Sequence, residues 1–274
     1  MFATAIIVFR EVLEAAIIIG IIAAATRSVP NSRRWLGAGL LAGLLGAGIV
    51  AASTDVIGSL ASGIGQELFN AIVLGIAVLM LAWHNIWMSS HGAALATNAR
   101  AVGSDIREGR SACSVLMLIV GLAVLREGSE TVLFLYGIAA TESGGRSPML
   151  LGGLAGMMLG SAVGYTLYSG LLRLPMRWFF SATSVLVLLL AAGMASQAAH
   201  FLIQADLLPS LATPLWDTSS ALPENGLPGI LLHSLIGYDA RPAGMQFVFY
   251  LAVLFAILAG MKWAAPHRKI ITRR

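Results

Sequence analysis

Two short stretches of this sequence decide its fold: Arg-Glu-Val-Leu-Glu at residues 10–14 and Arg-Glu-Gly-Ser-Glu at residues 126–130. Both follow the pattern Arg-Glu-x-x-Glu, and both lie within long apolar segments. Because residues three or four apart share one face of a helix, the two glutamates of each copy point the same way. Four glutamates and two arginines carry a charge of −2 when all are ionised. Oxygen ligands with this charge, shielded from water, predict a bound cation and therefore a cation transporter.

The cost of burying these side chains favours a functional interpretation. An ionised side chain at the centre of a bilayer costs roughly 2.5–3.5 kcal/mol on insertion scales. A structural alternative is that each arginine pairs with the second glutamate of its copy, but buried ion pairs often add little stability. That pairing also leaves one carboxylate in each copy without an arginine. The predicted metal ligands are the four motif glutamates, held in place by the two motif arginines: Glu11, Glu14, Glu127 and Glu130, with Arg10 and Arg126.

The composition is that of an all-α polytopic membrane protein. Of the 274 residues, 58% are hydrophobic and only 11% are charged. The mean hydropathy is +0.84, which lies outside the range of soluble proteins. A transmembrane helix needs about 20 mostly apolar residues. Seven stretches meet this requirement, and each is predicted to be a transmembrane helix: 2–26, 35–53, 67–90, 112–140, 148–172, 178–206 and 244–264.

Basic residues predict the orientation of these helices. Of the 17 Lys and Arg residues, 13 fall on one side of the predicted bundle, at 27–34, 100–110, 173–177 and 262–274. Because positive residues stay on the cytoplasmic side, we predict that the N-terminus is outside and the C-terminus inside the cytoplasmic membrane. This placement accounts for a pI near 9.6. The expected partner is therefore the lipid bilayer, and nucleic acid is not expected.

Features that recur in the same order indicate an internal duplication. The two motifs begin 116 residues apart, and so do His84 in the third predicted helix and His200 in the sixth. Small residues at every fourth position form ridges on the second and fifth helices, starting at Gly39 and Gly152. A shift of 117 residues carries Gly39 onto Gly156. Such ridges let helices approach closely in lipid.

Three helices per unit is an odd number, so the second unit is predicted to be inverted relative to the first. Many secondary transporters follow this 3+3 plan, with the binding site near mid-membrane where the repeats meet. We predict a first three-helix repeat at 1–110 and an inverted repeat at 111–206. An external loop then occupies 207–243, and a seventh helix with a basic cytoplasmic tail occupies 244–274.

Several other polar residues are candidates for the path into the site or for its support. Glu67 and Asn70 lie at the outer end of the third predicted helix, where they form an outer cation site or simply face headgroups. His84 forms a stripe with Met80 and Met88, and such a stripe either passes a soft metal ion or, more commonly, packs.

Three further residues have both a functional and a structural interpretation. His200 and Gln204 share a face of the sixth predicted helix, as support for the site, as a gate or as ordinary polar packing. Asp217, in the external loop, gathers cations or is simply solvated. The single cysteine, Cys113, excludes an internal disulfide framework.

These residues resemble the high-affinity iron permease family, which includes fungal plasma-membrane permeases and bacterial EfeU-type permeases. The resemblance rests on the two motifs and on Trp-Asp-Thr-Ser at 216–219 followed by Gly-Tyr at 237–238. It implies inward transport of Fe³⁺ or Fe²⁺, with the motif glutamates as translocation ligands and iron as cargo rather than a resident cofactor. It also implies a separate oxidase or periplasmic iron-delivery partner. Asn70 and Gln204 replace acids of the family pattern, which predicts an altered metal preference.

Three alternatives stay open at this point. The cargo is another divalent metal such as lead or manganese, or it is a small organic cation or amino acid. The third alternative is an intramembrane metal-dependent enzyme. A hydrolase of that kind needs histidines beside the acids, as in His-Glu-x-x-His, and neither His84 nor His200 adjoins a motif. We therefore predict a transporter and not an enzyme.

Overall fold

The chain is described by a computed structural model at residues 1–60, 65–141, 146–169, 176–224 and 226–264. Across these residues it forms eight α-helices and no β-strand. The helices are α1 (Phe2–Ala25), α2 (Ser32–Leu60), α3 (Gln66–Arg107), α4 (Ser114–Thr141), α5 (Arg146–Tyr168), α6 (Met176–Gln204), α7 (Leu227–Ile236) and α8 (Gly244–Ala264). Each of the seven predicted segments corresponds to one helix, and α7 is the additional one.

The short helix α7 lies within the predicted external loop. It has ten residues, which is too few to span a bilayer. A proline lies in its first turn, and the helix ends at Gly237, whose φ of 69° is the left-handed conformation that suits glycine. The sequence therefore contains a start and a stop signal for this helix that hydropathy alone does not register.

The third helix is longer than predicted. α3 has 42 residues and ends at Arg107, whereas the prediction ended it at residue 90. The apolar segment Gln66–Met88 agrees with the predicted span, and the helix continues through a polar stretch that hydropathy does not register and that protein contacts stabilise. Ala99 and Ile106 are buried in a cluster with Ile22 of α1.

Five helices, α2, α3, α5, α6 and α8, contain segments long and apolar enough to cross a membrane within the described residues. α1 and α4 have 24 and 28 residues, and each carries three charged motif residues. The protein is a multi-pass membrane protein. The count of seven spans and the orientation stay predictions, and Arg173 and residues 265–274, whose charges contributed to the orientation, lie outside the described residues.

Two helix pairs pack along glycine ridges: α1 against α5, and α2 against α4. A Cβ atom on Gly43 of α2 would lie 2.7 Å from the carbonyl oxygen of Gly121, and one on Gly160 of α5 would lie 2.9 Å from that of Phe9. Larger side chains would therefore push each pair apart. α3 packs against α6, and α1, α3 and α4 contact one another. The two motifs lie within this group of three helices.

The contacts of the two ridges correct their expected alignment. Gly43 contacts Val124 of α4, and Gly156 contacts Val8 of α1. Val8 and Val124 are 116 residues apart, as the motifs are, so Gly43 corresponds to Gly156 at a separation of 113. This separation differs by about one helical turn from the 117 residues inferred from the sequence. The sequence did not distinguish the two alignments, because glycines at every fourth position match equally well after a shift of four residues. The inverted repeat itself stays a prediction.

Hydrogen bonds order segment 207–243, the predicted external segment. The Tyr238 hydroxyl donates to the carbonyl oxygen of Leu222 at 3.0 Å and lies 2.5 Å from Thr218 Oγ1. A Cβ atom on Gly193 of α6 would lie 2.6 Å from Cα of Gly237. The end of α7 therefore rests directly on α6, and the Gly-Tyr pair noted in the sequence fixes the segment in place.

Candidate metal centre

Four of the six motif side chains are buried inside the helix bundle. Arg10, Glu11 and Glu14 of α1 are 1%, 1% and 3% exposed, and Glu127 of α4 is 5% exposed. His84 of α3 is also buried, with 2% of its surface exposed. Ionisable groups at this depth need charged or metal partners, and the geometry of each motif shows which partners they have.

In the first motif the arginine engages both glutamates. Arg10 Nη1 lies 3.2 Å from Glu11 Oε1, and Arg10 Nη2 lies 3.0 Å from Glu14 Oε1. The two terminal nitrogens of the planar guanidinium fit two separate carboxylates in this way. Glu11 thus accepts a hydrogen bond from the arginine, whereas Glu14 forms an ion pair with it that lacks hydrogen-bond geometry.

In the second motif the arginine approaches the glutamates through a different atom. Arg126 Nε lies 3.0 Å from Glu130 Oε1 and 3.8 Å from Glu127 Oε1. The central carbon of its guanidinium lies 4.4 Å from the centre of the Trp87 ring, on α3. Arg126 is 38% exposed, so the second motif is open where the first is closed.

His84 connects the two motifs. Its Nδ1 atom contacts Glu130 Oε2, and its Nε2 atom lies 3.6 Å from Glu14 Oε2. The edge of the ring packs against Phe134. α3 therefore places one imidazole between a carboxylate of α1 and a carboxylate of α4.

Four groups converge closely enough to hold one ion. One ligand atom from each of Glu11, His84, Glu127 and Glu130 lies within 4.8 Å of the others. Metal bonds of about 2.0–2.6 Å place opposed ligands about 4–5 Å apart, so this spacing suits a single cation. The arrangement brings together three of the four predicted ligands, and Glu14 contacts Arg10 and His84 at its edge.

Unpartnered carboxylate oxygens also point to a cation. Within the described residues, Glu11 Oε2 and Glu127 Oε2 are buried and receive no hydrogen bond. A buried oxygen without a donor costs about 1–3 kcal/mol, and more when charged. A bound cation would satisfy both oxygens at once, which a purely structural ion pair does not.

A cavity of about 260 Å³ reaches the site from the side of α3 and α4. It is lined mainly by apolar side chains, and two groups of the site form its inner end: Ile76, Leu79, Met80 and Trp83, with His84 and Glu130. Leu79 and Trp83 are largely exposed, so the cavity opens at the surface. This opening lies within the candidate membrane span Gln66–Met88.

The outer candidates on α3 lie far from this centre. Glu67 is exposed and Asn70 is half-buried. Glu67 precedes His84 by 17 residues on one helix, which is about 25 Å along the axis. Neither residue belongs to the four-group cluster, and a role on the path to the site stays a prediction.

The remaining candidates bond elsewhere. His200 Nε2 and Gln204 Nε2 lie 3.0 Å apart at the end of α6. Asp217 pairs with Arg241 at 3.0 Å and accepts a hydrogen bond from the Ser219 hydroxyl at 2.5 Å. These hydrogen bonds, from Ser219 first, hold the pKa of the Asp217 carboxyl below its ordinary value. Asp217 thus orders the external segment.

From the sequence, His84 was predicted to lie on the path into the site or to support it, and not to be one of its ligands. It lies 46 residues before Glu130 and 70 after Glu14, so no local spacing connects it with either motif. The one available signal was its stripe with Met80 and Met88. Met80 does line the cavity that leads to the site.

Comparison with known proteins identifies the family of this chain. The model of the Iron permease FTR1 family matches residues 1–265. A protein of Shigella sonnei (strain Ss046) named ferrous iron permease EfeU is 32% identical over 274 residues, covering 98% of this chain and 97% of the relative. A Yersinia pestis protein of the same name is 28% identical over 263 residues, covering 94% and 92%. No solved structure matches the chain significantly.

The family and its named members are permeases, so this protein is a transporter of iron across a membrane and not an enzyme. The match extends over both motifs and over the external segment. The resemblance noted from the motifs is thereby confirmed, and the chain belongs to the iron permease FTR1 family.

Proposed function

We propose that the protein carries iron inward across the cytoplasmic membrane through the centre between α1, α3 and α4. The ligands are Glu11, Glu127, Glu130 and His84, with Glu14 beside them. The observation that supports this proposal is the convergence of four buried ligand groups within 4.8 Å. When iron is absent, ion pairs with Arg10 and Arg126 lower the free-energy cost of burying the acidic side chains.

The transported ion is Fe²⁺ at this centre. Carboxylate oxygens suit hard and borderline cations, whereas an imidazole nitrogen favours iron over magnesium, calcium and manganese. The relatives are named ferrous iron permeases, which supports the same oxidation state. A separate oxidase or periplasmic delivery protein hands iron to the outer face; that part of the proposal rests on the family resemblance alone.

The seven long helices span the membrane as an inverted 3+3 repeat plus α8, with the N-terminus outside. α1 packs against α5, and α4 packs against α2. A two-fold axis that relates α1 to α4 also relates α5 to α2, so these two contacts support the inverted plan. Glu130 follows Arg126 along α4, so in this orientation it lies on the outer side.

The decisive experiment is uptake of radiolabelled Fe²⁺ by proteoliposomes. We expect Glu127→Gln to abolish uptake, because the substitution removes a buried ligand without changing the shape of the side chain. Glu108→Gln is the matched control, since Glu108 is exposed and pairs with Arg110 outside the site. Competition with manganese, zinc and lead defines the cargo. Normal uptake by both Glu127→Gln and Glu11→Gln would disprove the proposed site.

A further inference from the structure

The ring of Trp87 determines how Arg126 is oriented. Trp87 follows His84 by three residues on α3, so both side chains project from the same face of that helix. His84 contacts Glu130 and Glu14, while Trp87 lies against the guanidinium of Arg126 at 4.4 Å. One turn of α3 therefore contacts both the ligands and the arginine of the second motif.

The orientation of Arg126 differs from that of Arg10 in a way that matters for the ligands. Arg10 directs two terminal nitrogens at its glutamates. Arg126 approaches both of its glutamates most closely through Nε, and Glu127 is 3.8 Å away. A cation over an aromatic face is attracted to it, and most strongly to tryptophan. The terminal part of the Arg126 side chain is thus drawn over the ring and away from Glu127.

We propose that Trp87 is a positioning residue that keeps Arg126 turned away from Glu127, so that this carboxylate stays available to iron. The inference rests on the proposed function of the centre. Without the ring, the two terminal nitrogens of Arg126 can turn to Glu127 and Glu130, as those of Arg10 turn to Glu11 and Glu14. The arginine then competes with the incoming ion for the same oxygens. The loss is one of affinity, because the ligands themselves are still present.

Binding of Fe²⁺ to the purified protein in detergent, measured by anaerobic titration calorimetry, tests this role. We expect Trp87→Leu to raise the Kd about tenfold, in keeping with a partly buried cation–π contact. In transport, the same variant raises the KM and leaves the maximal rate within about twofold. Trp87→Phe, which keeps an aromatic face, retains binding within about threefold. Trp263→Leu is the control, since Trp263 lies exposed at the end of α8.

A double-variant cycle separates positioning from general packing. If Trp87 acts through Arg126, then Trp87→Leu has no further effect on the Kd once Arg126→Gln is present. An equal loss in both backgrounds, or a Kd for Trp87→Leu equal to that of the unaltered protein, overturns the inference. A Kd for Trp87→Phe as poor as that for Trp87→Leu also overturns it. If Glu127→Gln abolishes binding while Trp87→Leu does not change it, the proposed function stands and only the role of Trp87 fails.

Discussion

In the first motif Arg10 is 1% exposed and pairs with both glutamates of its own copy, whereas in the second motif Arg126 is 38% exposed and has one close carboxylate and an aromatic ring. The same five-residue pattern thus has two environments. α1 is covered by α5, α3 and α4, while the second motif adjoins a cavity that reaches the surface. The difference teaches that two copies of one motif can lie in different environments, one buried and one partly exposed.

The largest expected difference between the copies concerns stability. Arg10→Met leaves two buried carboxylates without their cation, and breaking a buried pair in this way costs about 3–5 kcal/mol. Arg126→Met costs about 1 kcal/mol, because a partly exposed pair contributes less. Reversible unfolding in mixed micelles measures both values. Equal losses would show that the closed and open environments do not differ energetically.

Iron affinity is the next property in which we expect the two motifs to differ. Glu130→Gln removes a member of the four-group cluster, and we expect the Kd for Fe²⁺ to rise about 100-fold. Glu14 lies at the edge of the cluster and contacts Arg10 and His84, so Glu14→Gln raises the Kd about tenfold. Titration calorimetry in detergent measures the ratio. Matching effects would mean that both glutamates bind the ion directly.

Metal selectivity tests the role of His84, whose imidazole contacts carboxylates of both motifs. His84→Ala removes the nitrogen ligand, and we expect the preference for Fe²⁺ over Mn²⁺ to fall about tenfold, since manganese favours oxygen. His200→Ala is the control, because His200 lies 116 residues later and pairs with Gln204 instead. Competition uptake in proteoliposomes gives the preference. A parallel loss for both histidines would refute a special role for His84.

The smallest expected effect concerns accessibility, at two positions that correspond in the motifs. Leu13 precedes Glu14 and is completely buried, whereas Ser129 precedes Glu130 and is half-buried. In a Cys113→Ser background, we expect Ser129→Cys to react severalfold faster than Leu13→Cys with a small thiol reagent. Bound Fe²⁺ should slow the reaction at Ser129→Cys. Equal rates, measured by mass spectrometry, would place the opening elsewhere.

Much of the fold followed from local patterns. Each predicted apolar segment corresponds to a helix, because hydropathy over about 20 residues reports contact with lipid directly. The far end of α3 and the helix α7 were not predicted. Ala99 and Ile106 of α3 are stabilised by burial against α1, and α7 rests on α6 through Gly193 and Gly237. Contacts of this kind join distant residues and leave no periodic signal in the sequence.

The sequence by itself determined that the chain spans a membrane, because long apolar segments are stable in lipid. It also marked the six charged residues of the two motifs as candidates for function, because charge in lipid is costly. Only the tertiary structure decided which oxygens are left without partners, that His84 joins the carboxylates and that Trp87 meets Arg126. Those features depend on how closely α1, α3 and α4 approach one another. The glycine ridges in turn fix α1 against α5 and α2 against α4, in a register that a regular four-residue spacing leaves undefined.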